Sequence, residues 1–156
     1  MSMIGQFLAL PQSELDALRR APQDLENVMF DAHGDSVVDV DKAWHGIHFL
    51  LNGTVGGGTA PLAHVLYGRT PLDEDMTYGP VMATDAADVP AIAAALAAVP
   101  DETLRERFKP EAMDDIYPHS WEEADALDWL IDHLQALRAF YREAAAANQA
   151  VLIWLG

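Results

Sequence analysis

Six consecutive apolar residues, AVLIWL at positions 150–155, constrain the fold more than any other part of the chain. The run is too short for a core helix, lacks polar alternation and carries β-branched and aromatic members, so it reads as a strand buried on both faces. A second apolar piece, residues 3–10, lies near the other end and stops at Pro11. Strands near both ends, with helices and short strands between them, predict an α+β fold and oppose a regular βαβ series. The expected architecture is a small mixed sheet that includes both terminal strands, packed by several helices. At 156 residues the chain suits a single domain spanning 1–156.

Between the terminal strands the spacing of apolar residues sets the helices. Leu15 and Leu18 stripe a first helix, to which Ser13 offers an N-cap oxygen, and Val37, Val38 and Val40 form a short β-prone piece. Asp41 stands where an N-cap belongs, before a helix over 42–51 that Asn52-Gly53 ends in the left-handed conformation. Residues 60–67 predict a short helix closed by Gly68, and 70–77 a polar turn. A strand edged by Pro80 follows, then an alanine-rich helix from about Asp88 and a short one carrying Leu104 and Phe108. The longest helix presents Leu127, Leu130, Ile131, Leu134, Leu137, Tyr141 and Ala144 on one face, and Asn148 stops it.

Charge narrows the partners. Nine Lys and Arg stand against 25 Asp and Glu, a net charge of −16 that repels phosphate backbones and anionic lipid, so neither nucleic acid nor membrane is an expected partner. A basic protein surface or a small ligand suits it better. The absence of cysteine excludes disulfides, thiolate-bound zinc and thiol catalysis. Cytoplasmic residence is the simplest expectation, since no cationic segment precedes the apolar N-terminal piece, whose first following basic residue is Arg19. Residues 43–68 contain no Asp, Glu, Lys or Arg, yet six glycines, Pro61, Asn52 and three histidines rule them out as a membrane span.

The densest group of chemically capable side chains lies in this same part of the chain. The glycine-rich loop over 53–59 has two glycines at P-loop spacing, but Thr59-Ala60 replaces the required Lys-Ser/Thr, and no G-x-G-x-x-G runs through it. Asp41, His45 and His48 fall at i, i+4 and i+7, spaced for a metal, although capping accounts for Asp41, solvent exposure for His45 and a satisfied half-buried imidazole for His48, and H-E-x-x-H is absent. No metal and no cofactor is expected. The pairs Asp114-Asp115 and Glu122-Glu123 suit helix-starting turns as well as they suit a carboxylate pair for glycoside chemistry. No residue is assigned to catalysis.

Several segments occur together in a pattern: MSMIGQF, DVDKAWHGIHFLLNG, PLAHVLYG, YGPV, IYPHSW and LRAFYREAAAANQAVLIWLG. Their arrangement resembles the YfbM-like family of small bacterial proteins, a domain of unknown function. The resemblance implies an α+β fold and brings no reaction or cofactor with it. It draws attention to Asp41, Lys42, Trp44, His48, Asn52, Gly53 and Tyr78. The candidate ligand-binding residues are Asp41, Lys42, Trp44, His48, Tyr78 and Trp121. The functional expectation is a non-enzymatic binding or protein-interaction module, inhibitor-like or immunity-like in one version. The alternative is a small hydrolase or transferase in which His48 serves as acid or base, Asp41 or Lys42 orients substrate and the glycine loop closes as a lid.

Overall fold

A computed structural model describes residues 2–76 and 78–156. Five strands form one sheet in the order β2-β1-β5-β4-β3, where β1 is Gly5–Pro11, β2 Val38–Asp39, β3 Thr70–Met76, β4 Gly79–Thr84 and β5 Gln149–Leu155. The expected sheet with both terminal strands is present, but every pairing is antiparallel, which corrects the mixed sheet anticipated from sequence. β1 and β5 pair along their full length, from Gly5 opposite Leu155 to Pro11 opposite Gln149.

This pairing makes β5 an inner strand and explains its unbroken apolar run. Val151 and Ile153 face one core, whereas Ala150, Leu152 and Trp154 face another, following the two-residue period of a strand. On the first face lie α2 (Trp44–Asn52), α3 (His64–Tyr67), α4 (Val89–Ala98), α5 (Asp101–Arg107) and α6 (Ala126–Ala146). The second face is covered by α1 (Gln12–Arg20), through Leu15 and Leu18, and by the segment that follows it, through Leu25 and Met29. Part of that segment, Asn27–Ala32, is a π-helix.

Two sequence expectations change. Residues 70–76 form β3 and not a polar turn; Thr77 lies outside the described residues. β3 is an edge strand held by its backbone, with Thr70 opposite Ala83 and Met76 opposite Gly79, so it needs no apolar alternation and tolerates Pro71. Neither Ser13 nor Asp41 caps a helix: α1 starts without a side-chain cap, and Asp41 begins a one-turn 3-10 helix, Asp41–Ala43, that leads into α2. Asp41 adopts φ 53°, and the Asp39 carboxylate accepts its backbone N–H at 2.5 Å, closing a turn of the kind Asp favours. Gly53, at φ 72°, ends α2 as its sequence requires, and its N–H bonds the Phe49 carbonyl.

α6 carries the expected apolar face, with Phe140 and Ala126 added to it, and the Tyr141 hydroxyl donates to the Val65 carbonyl at 2.5 Å. α2 crosses it at Gly46. A β-carbon at Gly46 would sit 2.6 Å from Trp121 Cη2 and 2.7 Å from Leu130 Cδ2, so only glycine permits this approach. Gly46→Ala is expected to lower stability by about 1–3 kcal/mol, the usual cost of overpacking a filled core. Urea unfolding would register it as a lower midpoint at unchanged slope; an unchanged midpoint would show that the helices separate freely.

Candidate functional site

The segment from Asp39 to Asn52 brings its polar side chains to three different places. Trp44 turns toward the start of the chain, and His45 toward Tyr117 and Val55. The Trp44 indole N–H donates to the Met3 carbonyl at 2.9 Å, while the Tyr117 hydroxyl accepts the Met3 N–H at 3.0 Å. Trp44 stacks between His45, at 4.9 Å, and Tyr117, at 5.8 Å. His45 is fixed at both nitrogens: Nδ1 accepts the Tyr117 N–H at 3.0 Å, so Nε2 carries the proton and donates to the Val55 carbonyl at 2.9 Å. The Tyr67 hydroxyl reaches the same carbonyl at 3.4 Å.

His48 lies one turn further on and is wholly buried. The Asn52 amide points its NH2 at His48 Nδ1, 3.3 Å away, and the same group bonds the carbonyls of His48 and Leu62, which fixes the amide orientation. Nδ1 is therefore the acceptor and Nε2 carries the proton. Nε2 faces the Gly57 backbone without meeting a hydrogen-bond partner at full geometry, and the Tyr67 ring covers the imidazole at 4.2 Å. The two histidines and Tyr67 thus hold the glycine-rich loop against α2.

Two clefts flank this segment, and His48 lines neither. One, of about 180 Å³, is apolar and joins Trp44 and Tyr78 with Leu66, Tyr67, Met82 and Ile153. The other, of about 270 Å³, joins Asp41 and Lys42 with Ser120, Glu123, Asp125 and Trp129. Trp121 is in neither: it is 4 % exposed, packs on Gly46, and donates its indole N–H to the Ile116 carbonyl at 2.9 Å. The six sequence candidates therefore divide into Trp44 with Tyr78, Asp41 with Lys42, and two core residues, His48 and Trp121. Among the described residues no group of three His, Asp or Glu side chains is placed to hold a metal ion.

Sequence reasoning did not single out Tyr67 or Trp129. Trp129 carries a legible signal, an aromatic side chain off the apolar stripe of α6 and partly exposed. Tyr67 offers none, because its contact with the loop depends on the turn at Gly68, where φ is 64°.

An acidic α+β protein with helices on both sides of an antiparallel sheet, two clefts beside α2 and no converged catalytic set among the described residues is the class these observations define. The profile of a family described as "Domain of unknown function (DUF1877)" matches residues 1–154, and the chain belongs to that family. In three dimensions it is similar to the crystal structure of YfbM, a protein of unknown function from Escherichia coli. The TM-score is 0.80 at 22% identity, over 99% of this chain and 100% of that one. At this identity the likeness speaks for the fold. No curated protein matches the chain. Among the described residues no helix is long and apolar enough to cross a membrane.

Burial drives the His48 pKa down to about 4, with the Gly57 backbone opposing the shift and the neighbouring His45 adding to it. His45 is lowered too, by burial first, with the Val55 carbonyl opposing and His119 reinforcing. An unfolded histidine titrates near 6.5, so between the two values the unfolded chain binds the extra proton. The stability that neutral His48 supplies is whole above about pH 6.5 and is lost as pH falls toward 4, on the order of 3 kcal/mol when complete. His48→Gln is expected to be less stable than wild type at neutral pH, with the gap closing as the solution is acidified. Urea midpoints of both proteins across this range would show it, and a constant gap would mean that His48 is not the titrating group.

Proposed function

We propose that the protein is a cytoplasmic, non-enzymatic interaction protein that engages a basic protein partner through its acidic exterior, in an inhibitor-like or immunity-like manner. The observation that carries this reading is where the positive charge goes. Five of the nine cationic residues are spent within the fold. Arg19, Arg69, Arg105 and Arg138 pair with Asp85, Asp88, Asp128 and Asp101. Arg107 donates to the carbonyls of Leu50 and Leu51 at the end of α2, and Arg138 also donates to those of Leu96 and Val99 at the end of α4. Cations at helix C-termini offset the negative end of the helix dipole. The four ion pairs occupy only four of the 25 Asp and Glu, so the remaining acids far outnumber the remaining Lys and Arg, and the net charge of −16 steers a cationic partner inward.

The clefts favour a protein over a small molecule. The apolar one is below the roughly 300–1,000 Å³ that small-molecule sites occupy. The groove beside Asp41 and Lys42 adds Glu123, Asp125 and the Trp129 ring, carboxylates beside an aromatic side chain, which suits a cationic side chain of a partner. A hydrolase or transferase reading needs His48 at a cavity, and burial of its imidazole beneath Tyr67 gives that reading no support.

Affinity capture from a native lysate tests the proposal. At low salt the protein is expected to retain a partner of high isoelectric point, to release it at moderate salt, and to retain less of it after combined Asp41→Asn, Glu123→Gln and Asp125→Asn substitution. Retention of no basic protein, or retention indifferent to salt, would overturn it.

A further inference from the structure

A third cavity, of about 300 Å³, lies on the other face of the sheet, bounded by Gln6, Met29, Phe30, Asp35, Val37 and Trp154. Three observations set it apart. Trp154 is 2 % exposed, and its indole N–H has no acceptor among the described residues. A buried N–H left unpaired costs about 1–3 kcal/mol, so an acceptor supplied from outside would be favourable. Its N–H edge lies on the Gln6 side: a β-carbon on Gly156 would stand 3.6 Å from Trp154 Nε1 and 3.0 Å from Gln6 Oε1.

Phe30 is one of two exposed large hydrophobic side chains among the described residues, 53 % exposed, and meets Trp154 edge to face at 6.4 Å. It projects from the π-helix Asn27–Ala32, a form of helix that is rare and concentrated at functional sites. An apolar ring left in water at the mouth of a pocket marks a contact surface more often than a packing fault.

The segment that carries Phe30 and Asp35 has one sign of formal charge. Between Arg20 and Lys42 the chain has no Lys or Arg but carries Asp24, Glu26, Asp31, Asp35, Asp39 and Asp41, the first five of them exposed. A second copy of this chain would bring the same charges against them, which disfavours self-association here.

We infer that this pocket receives an arginine-bearing peptide segment of a protein partner. A main-chain carbonyl of that segment takes the Trp154 N–H as the Gln6 amide swings aside, the arginine stem lies on Phe30 and its guanidinium meets Asp35. Arginine suits the position because its planar cation both stacks on an aromatic ring and pairs with a carboxylate. This rests on the basic-partner reading above and gives it a docking point distinct from the Trp129 groove.

The four tryptophans provide the test, since each indole N–H gives its own resonance in the ¹⁵N-labelled protein. On titration with an alternating arginine–alanine peptide, the Trp154 resonance, assigned by its loss in Trp154→Phe, is expected to move downfield, whether or not that of Trp129 in the acidic groove moves as well. Phe30→Ala and Asp35→Asn, both at exposed positions, are each expected to weaken binding about tenfold, as loss of a principal contact does. Binding that leaves Trp154 unmoved, with or without a shift of Trp129, would overturn this docking point and leave the basic-partner reading standing. No binding of the arginine peptide at low salt would bring down both. Resonances that move with protein concentration alone would assign the face to self-association instead.

Discussion

The antiparallel pairing of β1 with β5 is the contact on which the rest of the structure depends. It joins residues from opposite ends of the sequence over seven positions and continues beyond them, where Ile4 and Gly156 exchange two backbone hydrogen bonds of 3.0 Å. With β1 on one side and β4 on the other, β5 becomes an inner strand whose two faces must both be covered. Everything between the terminal strands is then sorted by which face it covers. The short α1 region closes one face and the five later helices the other. Such non-local pairing also places a high entropic demand on folding, because the intervening chain must be gathered before the central ladder forms.

That sorting also decides where chemistry can occur. On the five-helix face the core is deep, and Tyr141, Trp121 and Asn52 are matched within the protein, to Val65, to Ile116, and to His48 and Leu62, while His48 Nε2 is left without a partner among the described residues. On the α1 face the cover is thinner and partly π-helical, and there Trp154 reaches the interior with its N–H unmatched. The same strand thus turns Val151 and Ile153 to one core and Trp154, with its N–H unmatched, to the other. The cations follow a related logic. Arg107 and Arg138 tie helix ends to neighbouring helices, which turns two of the nine cations toward the protein's own carbonyls on a molecule of net charge −16.

Much of this fold was legible because it rests on local signals. The 150–155 run, the three- and four-residue spacing along α6, and Asn52-Gly53 each carry their physics in adjacent residues, and Asn148 takes the left-handed conformation, φ 54°, expected of a helix stop. β3 was not legible, since an edge strand is defined by its partner's backbone and Thr-Pro-Leu-Asp at its start has the composition of a turn. The capping role given to Asp41 failed because Asp39, two residues earlier, binds the Asp41 N–H and closes a turn with Asp41 at φ 53°, and α2 is entered through a 3-10 turn with no side-chain cap. The site was less legible than the fold. Spacing along α2 places Asp41, His45 and His48 in sequence order on a helix, but whether they converge depends on the 3-10 turn before Trp44 and on what packs above each side chain. Trp154 was hidden for a different reason: within an unbroken apolar run, nothing distinguishes a residue that faces a complete core from one that faces an incomplete one.

The histidines show why chemical capability and chemical use diverge in this chain. An imidazole acts in acid–base work when it can change protonation state in contact with a reacting group. His45 has committed both nitrogens to backbone partners, and adding a proton at Nδ1 would displace the Tyr117 N–H. His48 has lost water altogether, and burial holds its pKa near 4, so it stays neutral at ordinary pH. Both act instead as neutral, oriented groups that pin the glycine-rich loop to α2, a task for which glycine's freedom and histidine's two nitrogens are well matched. The segment richest in reactive side chains is in this way consumed by architecture. The proposed recognition rests instead on what the fold leaves unpaired, an excess of acids over cations and an indole N–H without an acceptor among the described residues.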